Sequence, residues 1–417
     1  NPGGFSYRKY LQKRGIYAIG SINSKEITKI RGHENYIVTI VNFMRDKIRS
    51  IVQKYFKGEN QKIVNTLILG VKEEVPSEII STFQRLGVSH LLVISGFHIG
   101  LVSYLIYLII KYIGLSAKSN AIVVTLFLIF YLALINWQIP ALRAALLVVL
   151  TLVANVLNRK VDLYNILSGI ALMLLLVNPW SLFTVSFQLS FTAVIMINYL
   201  SPIIKRGLLF LPDKLGEIIA ATLAVQIGLL PILIFYFHQV SLLSILTNLI
   251  LMPLISSTLV LILILIVGDM LSVYFIEILA VLIKILLNLS LNIVQFLAEH
   301  WNIIFNFASP SLTILIFYYI IVYYGAKIFQ IAKVPYNNRF YKRLIVVILS
   351  LIIVIVTVGF EENKYLKLVF LSVGLGDGIY MQTPNKQNVL IDCGSTGRGT
   401  INFLKEQGVT KVDLIFI

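Results

Sequence analysis

The chain has 417 residues, of which 58% are hydrophobic and only 13% are charged. Soluble domains average about 45–50% apolar and about 25% charged residues. The apolar residues come in runs that reach the roughly 20 residues needed to cross a bilayer core. This composition excludes an ordinary soluble enzyme and indicates a protein embedded in a membrane.

The net charge of +16 comes from 35 Lys and Arg residues against 19 Asp and Glu residues. Such an excess is typical of the positive-inside bias of membrane proteins and of contact with anionic lipid. It also suits attraction of a polyanion, although charge alone favours the first explanation. The single cysteine, Cys393, excludes an intramolecular disulfide and leaves the redox compartment open.

The first two segments of the chain differ in character. Residues 1–32 are polar and basic and are typical of the end of a soluble domain. Residues 33–57 repeat apolar side chains at three- and four-residue steps, which predicts one face of a helix. With basic residues beside that face, the segment suits a helix lying in the membrane interface. An amphipathic helix packed on a soluble domain fits the pattern equally well.

Long apolar runs fill the middle of the chain and predict about ten membrane spans. The predicted spans are 91–113, 120–136, 141–157, 163–178, 184–200, 216–236, 241–267, 270–298, 311–331 and 343–359. Pro253 and Asp269 interrupt the stretch 241–298, which leaves a re-entrant or broken segment there as one interpretation. Glu277 and Lys284, seven residues apart on one predicted helix, are expected to make solvated or interhelical pairs.

The pattern changes after Phe360. Short runs of strand character alternate with Gly and Asp turns at 365–373, 379–383, 388–392 and 412–417, and a short helix is predicted at 401–407. These elements predict a second soluble domain with a β-rich start. Because the chain begins without methionine and ends inside an apolar run, we expect it to be a segment of a longer protein.

Orientation follows from one basic loop. Lys327, Lys333, Arg339, Lys342 and Arg343 form a cluster without acidic residues. The positive-inside rule places this loop in the cytoplasm. The last predicted span would then deliver the C-terminal domain to the outer side of the membrane.

The stretch His90-Leu-Leu-Val-Ile-Ser95-Gly96-Phe-His98-Ile-Gly places two histidines at the mouth of an apolar span. Ser95 and His98 are three residues apart, so in a helix they share a face and can hydrogen-bond. His90 and His98 lie about two turns apart, too far for one metal ion unless the chain bends at Gly96. The stretch predicts either pore-lining or gating residues, or a glycine-softened helix start whose histidines are satisfied by neighbours.

Other polar residues occur at predicted membrane depth. Arg143 lies inside a span, where it needs a partner, an anion or a route to the interface. Gln188, Gln226 and Asn248 can join helices by hydrogen bonds or line a polar conduit.

Several of these segments resemble, in the same order, the ComEC family of competence membrane channels. The stretch 90–100 is similar to the family's signature, Phe-Gln-Leu-Ser-Phe at 187–191 to another of its segments, and Pro140-Ala-Leu-Arg-Ala to its Arg-Ala motif. Residues 1–11 are similar to the end of its oligonucleotide-binding-type domain. Further positions that fit the pattern of its later helices are Gln226, Pro231, Phe237, His238, Asn248 and Pro253.

The C-terminal segment resembles the opening of a metallo-β-lactamase-type domain. The resemblance rests on residues 373–378, which include Asp377, and on 388–394, which include Asp392. In that fold a His/Asp cluster binding two metal ions follows the next strand, and no such cluster is present in this sequence. The resemblance therefore implies no catalytic residue and no cofactor within these residues, and a divalent metal only in the full-length domain. The family usually has glutamine where Leu375 stands, and Asp392 is equally well explained as a turn residue.

The resemblance implies a mostly α, polytopic transmembrane bundle with truncated soluble domains at both ends, the C-terminal one α/β. The expected boundaries are 1–32 for the end of an oligonucleotide-binding-type domain, 33–89 for the interfacial helix and connection, 90–360 for the transmembrane domain and 361–417 for the metallo-β-lactamase-like domain. The chain would sit in the cytoplasmic membrane of a bacterium.

The implied function is uptake of single-stranded DNA during natural transformation. The partners would be the strand, the lipid bilayer, and the DNA-receptor and helicase or motor proteins of the uptake machinery, because no nucleotide-binding loop is present. Candidate residues near the path are His90, Ser95, Gly96, His98, Arg143, Gln188, Gln226, His238 and Asn248. Alternatives are a secondary transporter or flippase for a small anionic solute or lipid, and a degenerate membrane scaffold.

Overall fold

The structure is a computed structural model. It describes residues 11–12, 16–20, 36–241, 243–274, 276–301, 304–307, 310–331, 365–373, 376–385, 387–395, 397–409 and 411–416. Outside these residues lie most of the predicted N-terminal domain and the resemblance at 1–10. The basic residues Lys333 to Arg343, the span predicted at 343–359 and Leu375 lie outside them as well.

Twelve α-helices lie between residues 36 and 331 in the described part of the chain. They are α1 Tyr36–Tyr55, α2 Gly58–Leu69, α3 Ser77–Arg85, α4 Gly96–Tyr112, α5 Ala117–Leu134, α6 Ile139–Val156, α7 Leu163–Val177, α8 Val185–Gly207, α9 Asp213–Phe237, α10 Ser244–Met270, α11 Ile276–His300 and α12 Leu312–Ile331. Local sequence marks several starts. Ser116 and Asp162 cap α5 and α7 with their side chains, and Pro140 stands in the first turn of α6.

Each of the nine spans predicted between residues 91 and 331 coincides with a helix. Among the described residues, six helices are long and apolar enough to cross a membrane, namely α5, α6, α8, α9, α10 and α11. Helices α4 and α7 are apolar but shorter than these six, and within α12 the apolar stretch Leu312–Lys327 is also shorter. The interpretation of a break at Pro253 is wrong, because α10 continues through this proline from Ser244 to Met270. Asp269 stands in the last turn of α10 rather than interrupting a span.

Helix α1 confirms the amphipathic helix predicted at 33–57. Its buried residues, Val41, Ile48, Ile51 and Val52, face α2, α5 and α10. Lys54 Nζ lies 2.7 Å from the Asp269 carboxylate, and the Tyr55 hydroxyl donates to the same carboxylate at 2.6 Å. The helix thus packs on the helical domain, which corrects the alternative of packing on a soluble domain. Its place in the membrane interface stays a prediction.

The chain forms two compact units. The first unit contains Ala18–Phe191 and Leu243–Asn302, and the second contains Asn1–Tyr17, Thr192–Leu242 and Ile303–Ile417. One hydrophobic core runs through the first unit and joins α1, α2, α4, α5, α6, α10 and α11. Short connections make α4–α5, α5–α6 and α10–α11 neighbouring pairs.

Helix α2 is short and sits inside the first unit. Seven consecutive residues, Ile63 to Leu69, are buried, so the helix has no exposed face along its second half. It ends at Gly70, whose left-handed φ of 72° allows the chain to turn. The Gly70 carbonyl accepts a hydrogen bond from Gln138 Nε2 at 3.2 Å, which fixes the end of α2 against the α5–α6 turn.

In the second unit, two tyrosines of α12 hydrogen-bond to backbone carbonyls of α9 near a proline. Pro231 lies inside α9, where it cannot donate to the carbonyl four residues earlier. The Tyr318 hydroxyl donates to that carbonyl, on Ile227, at 2.7 Å, and the Tyr319 hydroxyl donates to the Gly228 carbonyl at 3.0 Å. Strands β1 Gln239–Ser241 and β2 Ile304–Asn306 pair antiparallel in the same unit.

The C-terminal segment folds as a four-stranded sheet with one helix. Its elements are β3 Lys367–Phe370, β4 Gly378–Gln382, β5 Asn388–Cys393, α13 Arg398–Glu406 and β6 Leu414–Phe416. The strand order is β3-β4-β5-β6, antiparallel except for the parallel β5–β6 pair that α13 connects. The four predicted strands and the short helix are confirmed.

Candidate functional site

Helix α4 begins with a reciprocal pair of hydrogen bonds between Ser95 and His98. The Ser95 side chain accepts from the His98 backbone N–H at 3.5 Å, and His98 Nδ1 accepts from the Ser95 backbone N–H at 3.0 Å. This is a capping box in which histidine replaces the more usual Glu or Gln. The predicted contact between the two side chains is therefore confirmed, with Ser95 Oγ and His98 Nδ1 3.2 Å apart. His98 is 2% exposed.

His90 and Gly96 flank this cap. The chain bends between them, because a 3-10 turn at Ser89–Leu92 gives way to extended backbone before α4 begins. His90 is exposed, yet desolvation by surrounding protein lowers its pKa to about 4. Gly96 approaches α6, where a Cβ added to it would lie 3.5 Å from the Cβ of Ala144.

Arg143 precedes Ala144 in α6, and its side chain reaches the start of α8. It is 4% exposed. Its Nη2 donates to the Ser186 carbonyl at 2.7 Å and approaches Ser186 Oγ at 3.3 Å, and its guanidinium carbon lies 5.9 Å from the centre of the Phe191 ring. Its Nε and Nη1 are buried and have no hydrogen-bond partner in the described part of the chain. The buried guanidinium therefore carries two donor groups that no described residue satisfies.

Three motifs that are far apart in sequence meet at this point. The stretch 90–100 contacts the start of α6 through Gly96 and Ala144, and the start of α6 reaches the stretch 187–191 through Arg143 and Phe191. Together they place the start of α4, an arginine with two unpartnered donor groups and the stacked rings of Phe187 and Phe191 in one region of the first unit.

The family model described as "Competence protein" matches residues 67–331, which include all three motifs. The chain belongs to the competence protein family.

Two curated relatives agree with this assignment. The chain is 31% identical to "ComE operon protein 3" of Bacillus subtilis over 252 residues, which are 60% of this chain and 32% of that protein. It is 23% identical to "Recombination protein 2" of Haemophilus influenzae over 201 residues, 46% of this chain and 24% of that protein. The aligned part thus spans about a third or less of these relatives. No solved structure matches the chain.

Other candidate residues of this competence-family chain form no hydrogen bond with Arg143 among the described residues. Gln188 Nε2 donates to the Leu182 carbonyl at 3.1 Å, a local contact that steadies the start of α8. Asn248 lies near the start of α10, and its Oδ1 is buried without a hydrogen-bond partner among the described residues. Pro253 lies one to two turns further along α10.

Gln226, Pro231 and His238 belong to the second unit. Gln226 is half-buried on α9. Pro231 has no N–H to donate to the Ile227 carbonyl, which accepts from the Tyr318 hydroxyl instead. His238 ends α9 in the left-handed region at φ 56°, and its carbonyl accepts from the Phe307 N–H at 2.8 Å. These residues shape the end of α9 and its connection to the β1–β2 pair.

Asp377 and Asp392, the two candidates of the C-terminal segment, belong to no metal-binding group of side chains among the described residues. Asp392 Oδ1 accepts from the backbone N–H groups of Cys393 and Gly394 at 2.5 and 3.1 Å, so this carboxylate stabilises a turn at φ 53°. Among the described residues, no three His, Cys, Asp or Glu side chains are grouped closely enough to hold a metal ion. The residues present do not fit the two-metal site of a metallo-β-lactamase.

Sequence reasoning missed two sets of residues in the first unit. Arg45 of α1 donates to the carbonyls of Ala133 and Leu134 at 2.7 Å each and to the Asn136 side chain, at the end of α5. A polar stripe along α11 was also missed, although a signal was present. Lys284, Asn288, Asn292 and Gln295 recur at steps of four and three, the period of one helix face.

Proposed function

We propose that this chain contributes the membrane part of a bacterial apparatus that takes up single-stranded DNA during natural transformation, and that its helices enclose a polar route for the strand. Membership of the competence protein family supports the process. The observation that carries the route is the meeting of three motifs around Arg143, a buried arginine with two unpartnered donor groups.

The chemistry of Arg143 suits a phosphodiester. A guanidinium presents donors in a planar fork that matches two phosphate oxygens, and such charge-assisted bonds are stronger than neutral ones. At membrane depth a charged side chain needs protein, water or an ion around it. One edge of the fork is already held by Ser186, so the free Nε and Nη1 donors are pre-oriented for an anion.

The wider assembly follows from the same proposal. The described residues contain no loop for nucleotide binding, so an external helicase or motor, or the electrochemical gradient, would drive the strand. Receptor proteins would deliver DNA on the outer side of the cytoplasmic membrane. A nuclease domain with divalent metal would belong to the full-length protein, since Asp377 and Asp392 do not fit a metal site by themselves.

The rival function is export or flipping of a small anionic solute or lipid. Arg143 would serve it equally well. The rival predicts that loss of the gene leaves transformation intact.

The first prediction concerns Arg143→Ala in the full-length protein, expressed in a competent strain from which the chromosomal copy is deleted. We expect transformation to fall by on the order of tenfold or more, because a desolvated charge at membrane depth is rarely dispensable. Arg143→Lys should restore only part of the activity, since lysine cannot donate as a fork. Transformants per cell are counted at equal membrane abundance of each variant.

The matched control is Arg159→Ala, an exposed arginine after α6. This variant should transform normally. Undiminished transformation of Arg143→Ala would refute the role of this residue, and normal transformation of the deletion strain would refute the proposed function itself.

A further inference from the structure

Arg45 and Arg49 of α1 form a pair of positive charges without an acidic partner in the described part of the chain. They are four residues apart, so they occupy neighbouring positions on one face of the helix. Like charges at this spacing repel each other, and the pKa of Arg45 is lowered by desolvation and by the charge of Arg49. Asp46 lies between them in the sequence, yet every ion pair among the described residues involves a lysine.

The two arginines differ in what holds their side chains. Arg45 Nε donates to the Leu134 carbonyl and its Nη2 donates to the Ala133 carbonyl, at 2.7 Å each. Arg49 is half-buried, and its Nε is buried without a hydrogen-bond partner among the residues that the structure describes. A fixed positive charge therefore lies beside a guanidinium with an unsatisfied donor. Because leaving a buried donor unsatisfied is costly, Arg49 indicates a ligand.

The end of α5 sets the level of this pair in the membrane. Helix α5 has 18 residues and is apolar enough to cross a bilayer, and its length of about 27 Å is close to the roughly 30 Å of the hydrocarbon core. Ala133 and Leu134, which hold Arg45, are its last two residues. Trp137 follows in the turn and is exposed, as is typical of tryptophan at the headgroup level. If α5 crosses the bilayer, the arginine pair lies near the lipid phosphates.

An apolar stripe on α5 leads to the same point. Ile122, Leu126 and Ile129 are 52%, 61% and 49% exposed. Together with Ala133 they follow steps of four, three and four residues, which place them on one face of the helix. The stripe thus runs up to the residue whose carbonyl binds Arg45. An apolar surface that ends at positive charge matches the acyl chain and the phosphate of a phospholipid.

We propose that Arg49, with the charge of Arg45 beside it, binds the phosphate of an acidic phospholipid whose acyl chain lies along the α5 stripe. A guanidinium fork matches two phosphate oxygens. A lipid with net negative charge compensates the pair, whereas a zwitterionic lipid brings a further cation to it. The inference concerns other residues than Arg143 and does not rest on the proposed function.

The second prediction uses fluorescence quenching by lipid at the stripe. The full-length protein, with its other cysteines replaced, carries a bimane fluorophore at Ile129→Cys in nanodiscs of phosphatidylcholine. Phosphatidylglycerol with a nitroxide on its acyl chain should quench this fluorophore at a mole fraction about fivefold lower than labelled phosphatidylcholine, because a basic residue near the membrane surface attracts an anionic lipid by about that factor. A fluorophore at Leu172→Cys, an exposed position of α7, should not distinguish the two lipids.

Variants of α1 identify the residue that selects the lipid. Arg49→Gln should remove most of the preference measured at Ile129→Cys, and Arg49→Lys should keep most of it, since lysine retains the charge. Lys47→Gln is the matched control, because Lys47 is exposed and lies two residues from Arg49, towards the opposite side of the helix. It should leave the preference unchanged. Unfolding temperatures in phosphatidylcholine nanodiscs verify that each variant is folded.

Soluble anions distinguish the lipid from other sources of phosphate. Millimolar inorganic phosphate and a short oligodeoxythymidylate, each added at constant ionic strength, should not relieve the quenching. Relief by inorganic phosphate would identify a site for a free anion, and relief by the oligonucleotide would identify a nucleic-acid site. Either result would overturn the lipid as the ligand.

The lipid site is also overturned if both lipids quench the wild-type fluorophore at Ile129→Cys equally, or if the preference persists in folded Arg49→Gln protein. A preference at Ile129→Cys that Arg49→Gln removes and Lys47→Gln keeps supports the site. Should Arg49→Gln fail to fold, the comparison of the two lipids at Ile129→Cys and Leu172→Cys in otherwise unchanged protein still decides the question.

Discussion

Two arginines show that the surroundings of a side chain, rather than its type, decide its role. Arg45 directs its donors at the carbonyls of Ala133 and Leu134, which are free at the end of α5, and so stabilises that helix end. Arg143 is bound only through one nitrogen, and its remaining donors are unpartnered. Arg45 therefore has a structural role, whereas an anion as the partner of Arg143 is our proposal.

The capping box at α4 yields the third prediction. Ser95→Ala should lower the free energy of unfolding by about 1 kcal/mol, since an N-cap acceptor is lost, whereas Ser95→Thr should be nearly neutral. His98→Gln should keep the cap, because glutamine accepts from the N-cap backbone in the same way. Thermal unfolding of the purified protein in detergent measures these differences.

The same variants separate structure from gating. If His98 acts only as a cap, His98→Gln transforms normally. Reduced transformation of a fully stable His98→Gln protein would show that the imidazole has a further role.

The elements around the α5–α6 turn show how short segments are held in unusual conformations. Asn136 and Trp137 both have positive φ angles, 57° and 51°, which are costly for side chains other than glycine. Arg45 holds this turn from α1, and Gln138 links it to Gly70 at the end of α2. The turn is therefore fixed by two elements that precede the first predicted span.

The fourth prediction compares two glycines with similar backbone angles. Gly70 has φ 72°, and a Cβ there would lie 2.2 Å from Gln138 Nε2, whereas Gly58 has φ 61° with nothing within 4 Å. Gly58→Ala should show the backbone strain alone, about 1–2 kcal/mol. Gly70→Ala should cost more, because it also displaces the Gln138 side chain. Unfolding temperatures in detergent test the order, and equal losses would show that the α2 end is not tightly docked.

At the scale of the whole molecule, the distribution of charge predicts how the chain lies in the membrane. The cluster from Lys327 to Arg343 is expected in the cytoplasm, and the segment after Phe360 is expected outside. The six helices that are long enough to cross a membrane are consistent with a multi-pass protein, and they do not by themselves fix its orientation.

The fifth prediction tests that orientation. Alkaline phosphatase fused after Gln407 should be active, because it folds only outside the cytoplasm, and green fluorescent protein at the same position should be dark. A fusion within the basic cluster should give the opposite pattern. A fluorescent fusion after Gln407 would place the C-terminal sheet in the cytoplasm and reverse the proposed topology.

The sequence alone determined the helices and strands, because hydrophobic runs and local caps depend on neighbouring residues. Nine predicted spans coincide with helices, and the β-rich C-terminal segment forms a sheet as expected. The interpretation of a break at Pro253 was wrong, since proline can remain inside a long helix that is stabilised by packing. The family resemblance also came from the sequence, and the family match confirms it.

Only the tertiary structure decided which polar residues meet. It joined Arg143 to Ser186 and Phe191, and it showed Gln188 to be bound locally to the Leu182 carbonyl. It also set Asn60 against Asn288, 228 positions away in the chain. Such contacts depend on how helices pack, and packing is set by the fit of whole helix faces, which no local pattern of residues specifies.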